Sequence, residues 1–198
     1  MSESMRFVIA TAPATEPVTS AELVSQCRIN SAEATTEATY ISTLITGARV
    51  YAENLVGPII TQAWDGYLDE WPADDIIVVE KPRVTAITTV KYTILDASAA
   101  STFASSNYLT DYVSYYARIR LKWDKAWPTD TLEIMNPIVI RFSAGYANAA
   151  AVPQALKQAI LFLAGHWYDH REIMIEGQMA VIPGTFYDLM GNYHEWGF

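Results

Sequence analysis

The sequence is poor in the residues that usually announce chemistry. Cysteine occurs once in 198 residues, at Cys27, which excludes an intramolecular disulfide and a cysteine-built metal site. Histidine occurs three times, and lysine and arginine together number 13 against 22 acids, for a net charge of −9. Residues 1–58, 59–146 and 147–198 each carry −3, so there is no basic tail or stripe to neutralise phosphates, and direct nucleic-acid binding is disfavoured. A wall that merely surrounds a nucleic-acid path is compatible with this charge, because repulsion prevents sticking. No apolar window approaches the roughly 18 residues of a membrane span. The opening MSESMRFVIATAPATEP has a charge break and too short an apolar run for a secretory signal, so cytoplasmic synthesis is expected. GxSxG, GxxxxGK[ST] and GxGxxG are missing, and with them a nucleophile elbow or a phosphate-cradling loop.

Apolar residues, by contrast, make up 51% of the chain, enough for a substantial core in one domain, or in one domain carrying a large insertion. Their densest helical arrangement is Pro153 to Glu172, PQALKQAILFLAGHWYDHRE. Pro153 suits the first position of a helix, and Leu156, Ile160, Leu163 and Trp167 follow at spacings of four, three and four. Leu161, Phe162 and Ala164 widen that stripe until it needs neighbours on more than one side. Gly165 costs roughly 1 kcal/mol of helix stability against alanine, which points to another backbone passing close by. This helix is the expected centre of the core.

The remaining chain divides by periodicity. Residues 1–18 read as an extended N-terminal arm, interrupted by Pro13 and Pro17, which either adds a strand to a neighbour or is loose. Thr19 with Glu22 fits a capping box and opens a short helix through Cys27, where the thiol is expected as a small apolar residue. Ser31 to Thr36 reads as a polar link. A second, longer helix is expected from about Thr36 to Val56, stopped by Gly57 and Pro58. From Ile59 to Tyr146 the period becomes strand-like: Ile59–Leu68, Ile76–Val79, Val84–Leu95, Tyr108–Leu109, Ser114–Leu121 and Ile138–Tyr146. Trp71-Pro72, Lys81-Pro82, Asp96 to Ser106 and Trp127-Pro128 are the expected breaks. Val84, Ala86, Thr88, Val90, Tyr92 and Ile94 alternate as one face of a half-buried antiparallel strand. The expected fold is therefore α+β: a helical bundle of three to four helices built from 19–58 and 147–198, with a β module, 59–146, inserted between helix 2 and the central C-terminal helix. The last residues, GNYHEWGF, are aromatic and glycine-broken. They either fold back on the core or anchor a partner through Tyr193, Trp196 and Phe198.

Three groupings invite a chemical reading. His166 and His170 lie four apart, a spacing that lets two imidazoles meet one metal ion, with Asp169 and Glu172 near. Trp-Tyr-Asp stands between them, however, where a metalloprotease helix carries its water-activating glutamate. Hydrogen-bonded or solvated histidines, with Asp169, Arg171 and Glu172 pairing at the helix end, account for the same residues. Asp69-Glu70 and Asp74-Asp75 are adjacent acids of the kind glycoside hydrolysis uses in pairs, but neighbours on a strand point to opposite faces. The tyrosine-rich run 108–116 could line a carbohydrate or base-stacking surface; strand packing is its ordinary role. No catalytic, metal or cofactor-binding residue is assigned.

Taken in order, PVTSAELVSQCRI, ARVYAENLVG, ITQAWDGYLDEWP, IVVEKPRVTAITTVKY, VIRFSAGYA and VPQALKQAILFLAGHWYDHRE resemble the head-tail connector (adaptor, or head-completion) family of tailed bacteriophages and prophages. The resemblance spans about residues 17 to 190. It implies a virion protein of the head-tail junction with no catalysis and no cofactor. It also implies a ring, expected to be a dodecamer, beneath the portal, giving a platform for the next neck or tail protein and encircling DNA without reading its sequence. His166, Trp167, Tyr168 and Arg171 carry the signature and are expected to orient the helix end against the core or an adjacent subunit. A carbohydrate-binding or hydrolytic virion module and a metal enzyme are the alternatives.

Overall fold

The computed structural model describes residues 5–170, 174–175, 178–179, 182 and 184–193. The chain forms two compact units, Met1–Pro13 with Thr61–Gly145, and Ala14–Ile60 with Tyr146–Phe198. The first is β and the second mainly helical, and the strands of the first unit, after its N-terminal strand, fall in sequence between two helices of the second. The α+β class thus stands, with the inserted strands divided between two antiparallel sheets.

In the helical unit, α1 (Ser20–Cys27) opens on the expected box: Glu22 N–H donates to the Thr19 hydroxyl at 3.2 Å, and Thr19 N–H donates to the Glu22 carboxylate at 2.6 Å. Ser31–Thr36, read as a polar link, is instead a helix, α2, capped by Asn30 through Glu33 N–H at 2.9 Å. It buries no residue, so it has no apolar stripe by which it could be read, and its cap alone marks it. α3 (Ala38–Val56) is therefore the third helix. It buries Ile41, Ile45, Ala48, Ala52 and Val56 at helical spacing. α4 (Gln154–Asp169) buries Leu156, Ala159, Ile160, Leu163 and Ala164 completely, and α5 (Gly184–Met190) adds Phe186 and Met190. Pro153 sits one position earlier than expected, as the cap residue of α4. The close neighbour of Gly165 is a side chain and not a backbone: a Cβ there would lie 3.1 Å from Cys27 Sγ on α1. Burial, and then the nearby Asp169, push the Cys27 thiol pKa up, which keeps it neutral and inert.

Arg49 is the residue that periodicity does not foresee. Only 6% exposed, it meets Glu16 at 2.7 Å and Glu53 at 2.6 Å. Glu16 also accepts from Thr46 at 2.8 Å, and Glu53 from Ile59 N–H at 2.9 Å. The cluster fastens the residues before α1 and those after α3 to α3 itself. Ile59 and Ile60, expected to begin a strand, lie in the helical core at 0% and 2% exposure.

The β unit holds a five-stranded sheet in the order β1-β2-β8-β4-β5 and a three-stranded sheet β3-β7-β6, all antiparallel. The strands are β1 (Arg6–Thr11), β2 (Gln62–Leu68), β3 (Ile76–Pro82), β4 (Val84–Tyr92), β5 (Ser101–Phe103), β6 (Tyr108–Asp111), β7 (Tyr116–Leu121) and β8 (Ile138–Ala144). The N-terminal arm is not loose: β1 pairs with β2 of its own chain. β5 lies in a stretch expected to be a break. In the central β8, Ile138, Ile140, Phe142 and Ala144 are each 0% exposed, the alternation of a strand with one fully buried face. β4 departs from its expected single face. Val84 and Val90 are buried while Ala86 and Thr88 are exposed, because two register shifts against β8, at 84/86 and 87/89, each reverse side-chain parity. The two Trp-Pro breaks meet in space: the rings of Trp71 and Trp127 stack 4.9 Å apart at 6°, beside Phe103.

A two-stranded ladder, Met174–Ile175 with Gln178–Met179, follows α4. Among the described residues no helix is long and apolar enough to cross a membrane.

Candidate interaction surfaces

The signature end of α4 is built from contacts within the helical unit. Tyr168 donates its hydroxyl to Glu37 at 2.6 Å and its ring lies 6.1 Å from that of Tyr40. Trp167 meets Tyr51 edge-on at 6.3 Å, and Tyr51 in turn contacts Phe186 and exchanges a 3.0 Å hydrogen bond with Tyr187. Trp167 is half-buried rather than enclosed, with its ring over Gly47, where a Cβ would touch it at 3.4 Å. The aromatic residues therefore lock the end of α4 onto α3 and α5. Arg171 and Glu172 lie outside the described residues.

His166 and His170 come together, rings 4.5 Å apart, with His170 Nδ1 3.0 Å from the His166 carbonyl. Burial lowers the His166 pKa, the neighbouring His170 lowers it further, and Asp169 opposes them. Among the described residues no group of three His, Cys, Asp or Glu side chains is placed to hold a metal ion.

The tyrosines of the 108–116 run part company. Tyr108 is 7% exposed and stacks on Phe103, the Tyr112 oxygen accepts from Ile87 N–H at 2.9 Å, and Tyr115 is 55% exposed. The adjacent acids also separate. Asp69 pairs with Arg6 at 2.6 Å and accepts from Asn136 N–H, whereas Glu70, Asp74 and Asp75 line a cleft of the β unit. Of the tail residues, Tyr193 is half-buried against the helical core; Trp196 and Phe198 lie outside the described residues.

What the sequence did not single out is a set of bare apolar residues on the loops of the β unit. Val113 is 98% exposed, Trp123 95%, Ile134 82% and Met135 75%. Their backbones are fixed. Asp111 accepts from Arg118, from Val113 N–H and from the Ser114 hydroxyl, and these bonds, that of Arg118 foremost, hold its carboxyl far below the usual carboxylate range. Glu133 N–H donates to Thr93 O and Asn136 N–H to Asp69, bracketing Ile134 and Met135. The helical unit contributes only Val50 and Tyr187 to the large hydrophobics exposed among the described residues. Apolar residues inside polar loop segments, as in LKWDK and LEIMN, were the available signal.

The described residues thus combine buried aromatic locks, separated acids and apolar residues exposed on loops. Residues 104–193 match the model of a family described as phage gp6-like head-tail connector protein, a structural connector family and not an enzyme family. No curated protein sequence matches the chain. Among solved structures, it resembles a chain of the neck of an empty GTA particle computed with C6 symmetry, at 20% identity, TM-score 0.76, over 96% of this chain and 95% of that one. A chain from the virion of a native gene transfer agent (GTA) particle follows at 19% identity and TM-score 0.74, with the same coverage. A third, from the neck of a native GTA particle computed with C12 symmetry, has 18% identity, TM-score 0.68 and the same coverage. At these identities the likeness is one of fold.

Proposed function

We propose that this protein is a head-tail connector subunit that assembles as a ring beneath a portal, completes the DNA-filled head and presents a platform to the next neck or tail protein. The observation that carries this reading is the family match across 104–193, which runs through the signature end of α4. The shared fold with chains of symmetric GTA necks supports it, as does the even spread of the −9 charge, which lets DNA pass without adhering. The ring is homo-oligomeric, with twelve copies as the family expectation, and lies at the head-tail junction of the virion after synthesis in the bacterial cytoplasm. The arm, the helical core of 19–58 and 147–198 and the β module of 59–146 are its working parts. His166, Trp167, Tyr168 and Arg171 set the end of the central helix, and the tail residues Tyr193, Trp196 and Phe198 contact the portal or a neighbouring subunit.

Negative-stain microscopy of the pure protein with and without portal tests this. Rings, alone or on the portal, are expected; monomers that never associate with portal would overturn it. For the tail, Trp196→Ala with Phe198→Ala is expected to lower the yield of completed heads while leaving the melting temperature unchanged. Wild-type yield would remove the tail from the contact.

A further inference from the structure

The β unit carries both halves of a contact. One half is a cleft of about 800 Å³, within the range that seats a compact group. Met5 and Ile77, 7% and 3% exposed, give it an apolar floor, and Glu70, Asp74, Asp75 and Glu80 line it with four carboxylates against one cation, Arg120. The other half is Trp123, 95% exposed, between Lys122 and the Asp124-Lys125 pair, whose side chains lie 3.8 Å apart. Its loop is anchored at the base: Leu121 N–H donates to Asp75 O at 2.9 Å, Lys122 N–H to Asn107 O at 3.0 Å, and the Trp127 indole to Asp74 O at 3.0 Å. Trp123 thus stands near the rim of its own cleft and in the solvent. A bare tryptophan on an ordered loop is the side chain most often found as an interface anchor.

We infer that the Trp123 loop of one copy docks in the carboxylate-lined cleft of a neighbouring copy, with the indole on Met5 and Ile77 and the two ammonium groups among the carboxylates. The inference rests on the proposed ring. The occupant follows from charge. Two copies at −9 each repel, so their contact needs a place where the sign is locally reversed. The Lys122–Lys125 turn carries two cations, the Asp124 carboxylate and an apolar knob, a net positive patch matched to a cleft whose four carboxylates outnumber Arg120 around an apolar floor. Knob and cleft share no residue, so each subunit can give to one neighbour and receive from another, the arrangement that closes into a ring when the rotation allows.

Two full-length single-cysteine chains, Trp123→Cys and Ala73→Cys, each also carrying Cys27→Ser, test the contact. Ala73 lines the cleft. When the two are mixed and oxidised, at raised concentration and on portal, a mixed disulfide dimer is expected. Trp123→Ala is expected to weaken self-association about tenfold or more with an unchanged circular dichroism spectrum. Lys122→Glu with Lys125→Glu should abolish assembly, and Asp74→Lys with Asp75→Lys added in the same chain should restore it. Rings that form without the mixed disulfide would overturn this contact and leave the connector reading intact; absence of rings from the unaltered protein would overturn both. Trp123→Ala chains that form rings but fail on portal would assign Trp123 to the portal instead, and also overturn it.

Discussion

The two units use their apolar residues in opposite ways. In the helical unit, α4 is enclosed by α1, α3 and α5, and even the polar Arg49 is drawn in and neutralised by Glu16 and Glu53. The β unit encloses the inner faces of β8 and β7 just as completely, yet leaves Val113, Trp123, Ile134 and Met135 in water on bonded turns. A protein that selected only for stability would cover or replace such residues, since exposed apolar groups on fixed backbone invite association. The difference leaves both units with buried cores and places most of the exposed apolar residues on one of them, the β unit.

That contrast can be broken by substitution. Phe142→Ala, at 0% exposure in the central strand, is expected to cost about 3 to 5 kcal/mol in a denaturant titration, the largest effect. Arg49→Met should come next, at about 2 to 4 kcal/mol, because Glu53 loses its cation in a nearly buried site; a neutral result would show that the cluster is dispensable. Trp167→Ala is expected to cost about 2 kcal/mol, less than the roughly 3 to 5 of a fully enclosed ring, since the indole is half-buried. Trp123→Ala should leave stability within about 0.5 kcal/mol while altering assembly, and a large stability loss would erase the division between folding and recognition residues.

The smallest effects are set by pH. A histidine with a lowered folded pKa binds fewer protons folded than unfolded, so the contribution of His166 is present above the unfolded value near 6.5. It is lost as pH falls through the lower, folded value. His166→Gln should therefore flatten the acid side of the stability curve. Asp111, also lowered, contributes above the ordinary carboxylate pKa and loses that contribution only at much lower pH. Amide exchange at Val113 should accordingly stay slow until strong acid, and Asp111→Asn should speed it at neutral pH.

Residues that repeat were legible, and residues that depend on distant partners were not. α1, α3 and α4 follow from caps and a 3.6-residue stripe, and β8 from a strict alternation. β4 hid its two bulges because parity errors of one and one cancel at Val90. α2 has no apolar stripe, β5 is three residues long, and β1 depends on a partner some sixty positions away. For the candidate surfaces, His166, Trp167 and Tyr168 were visible as a motif, but their partners Glu37, Tyr40 and Tyr51 come from α3 and the residue before it. Trp123 could not be distinguished from a core tryptophan, since exposure is a property of the assembled loops.

The Trp71–Trp127 pair brings two near-parallel indoles to 4.9 Å, close enough for their electronic transitions to couple. The β unit thereby carries its own optical marker, an aromatic circular dichroism signal that should weaken when the loops bearing the two Trp-Pro turns come apart. Far-ultraviolet helicity reports on the other unit. A single melt followed at both wavelengths would show whether the recognition loops loosen before the helices do.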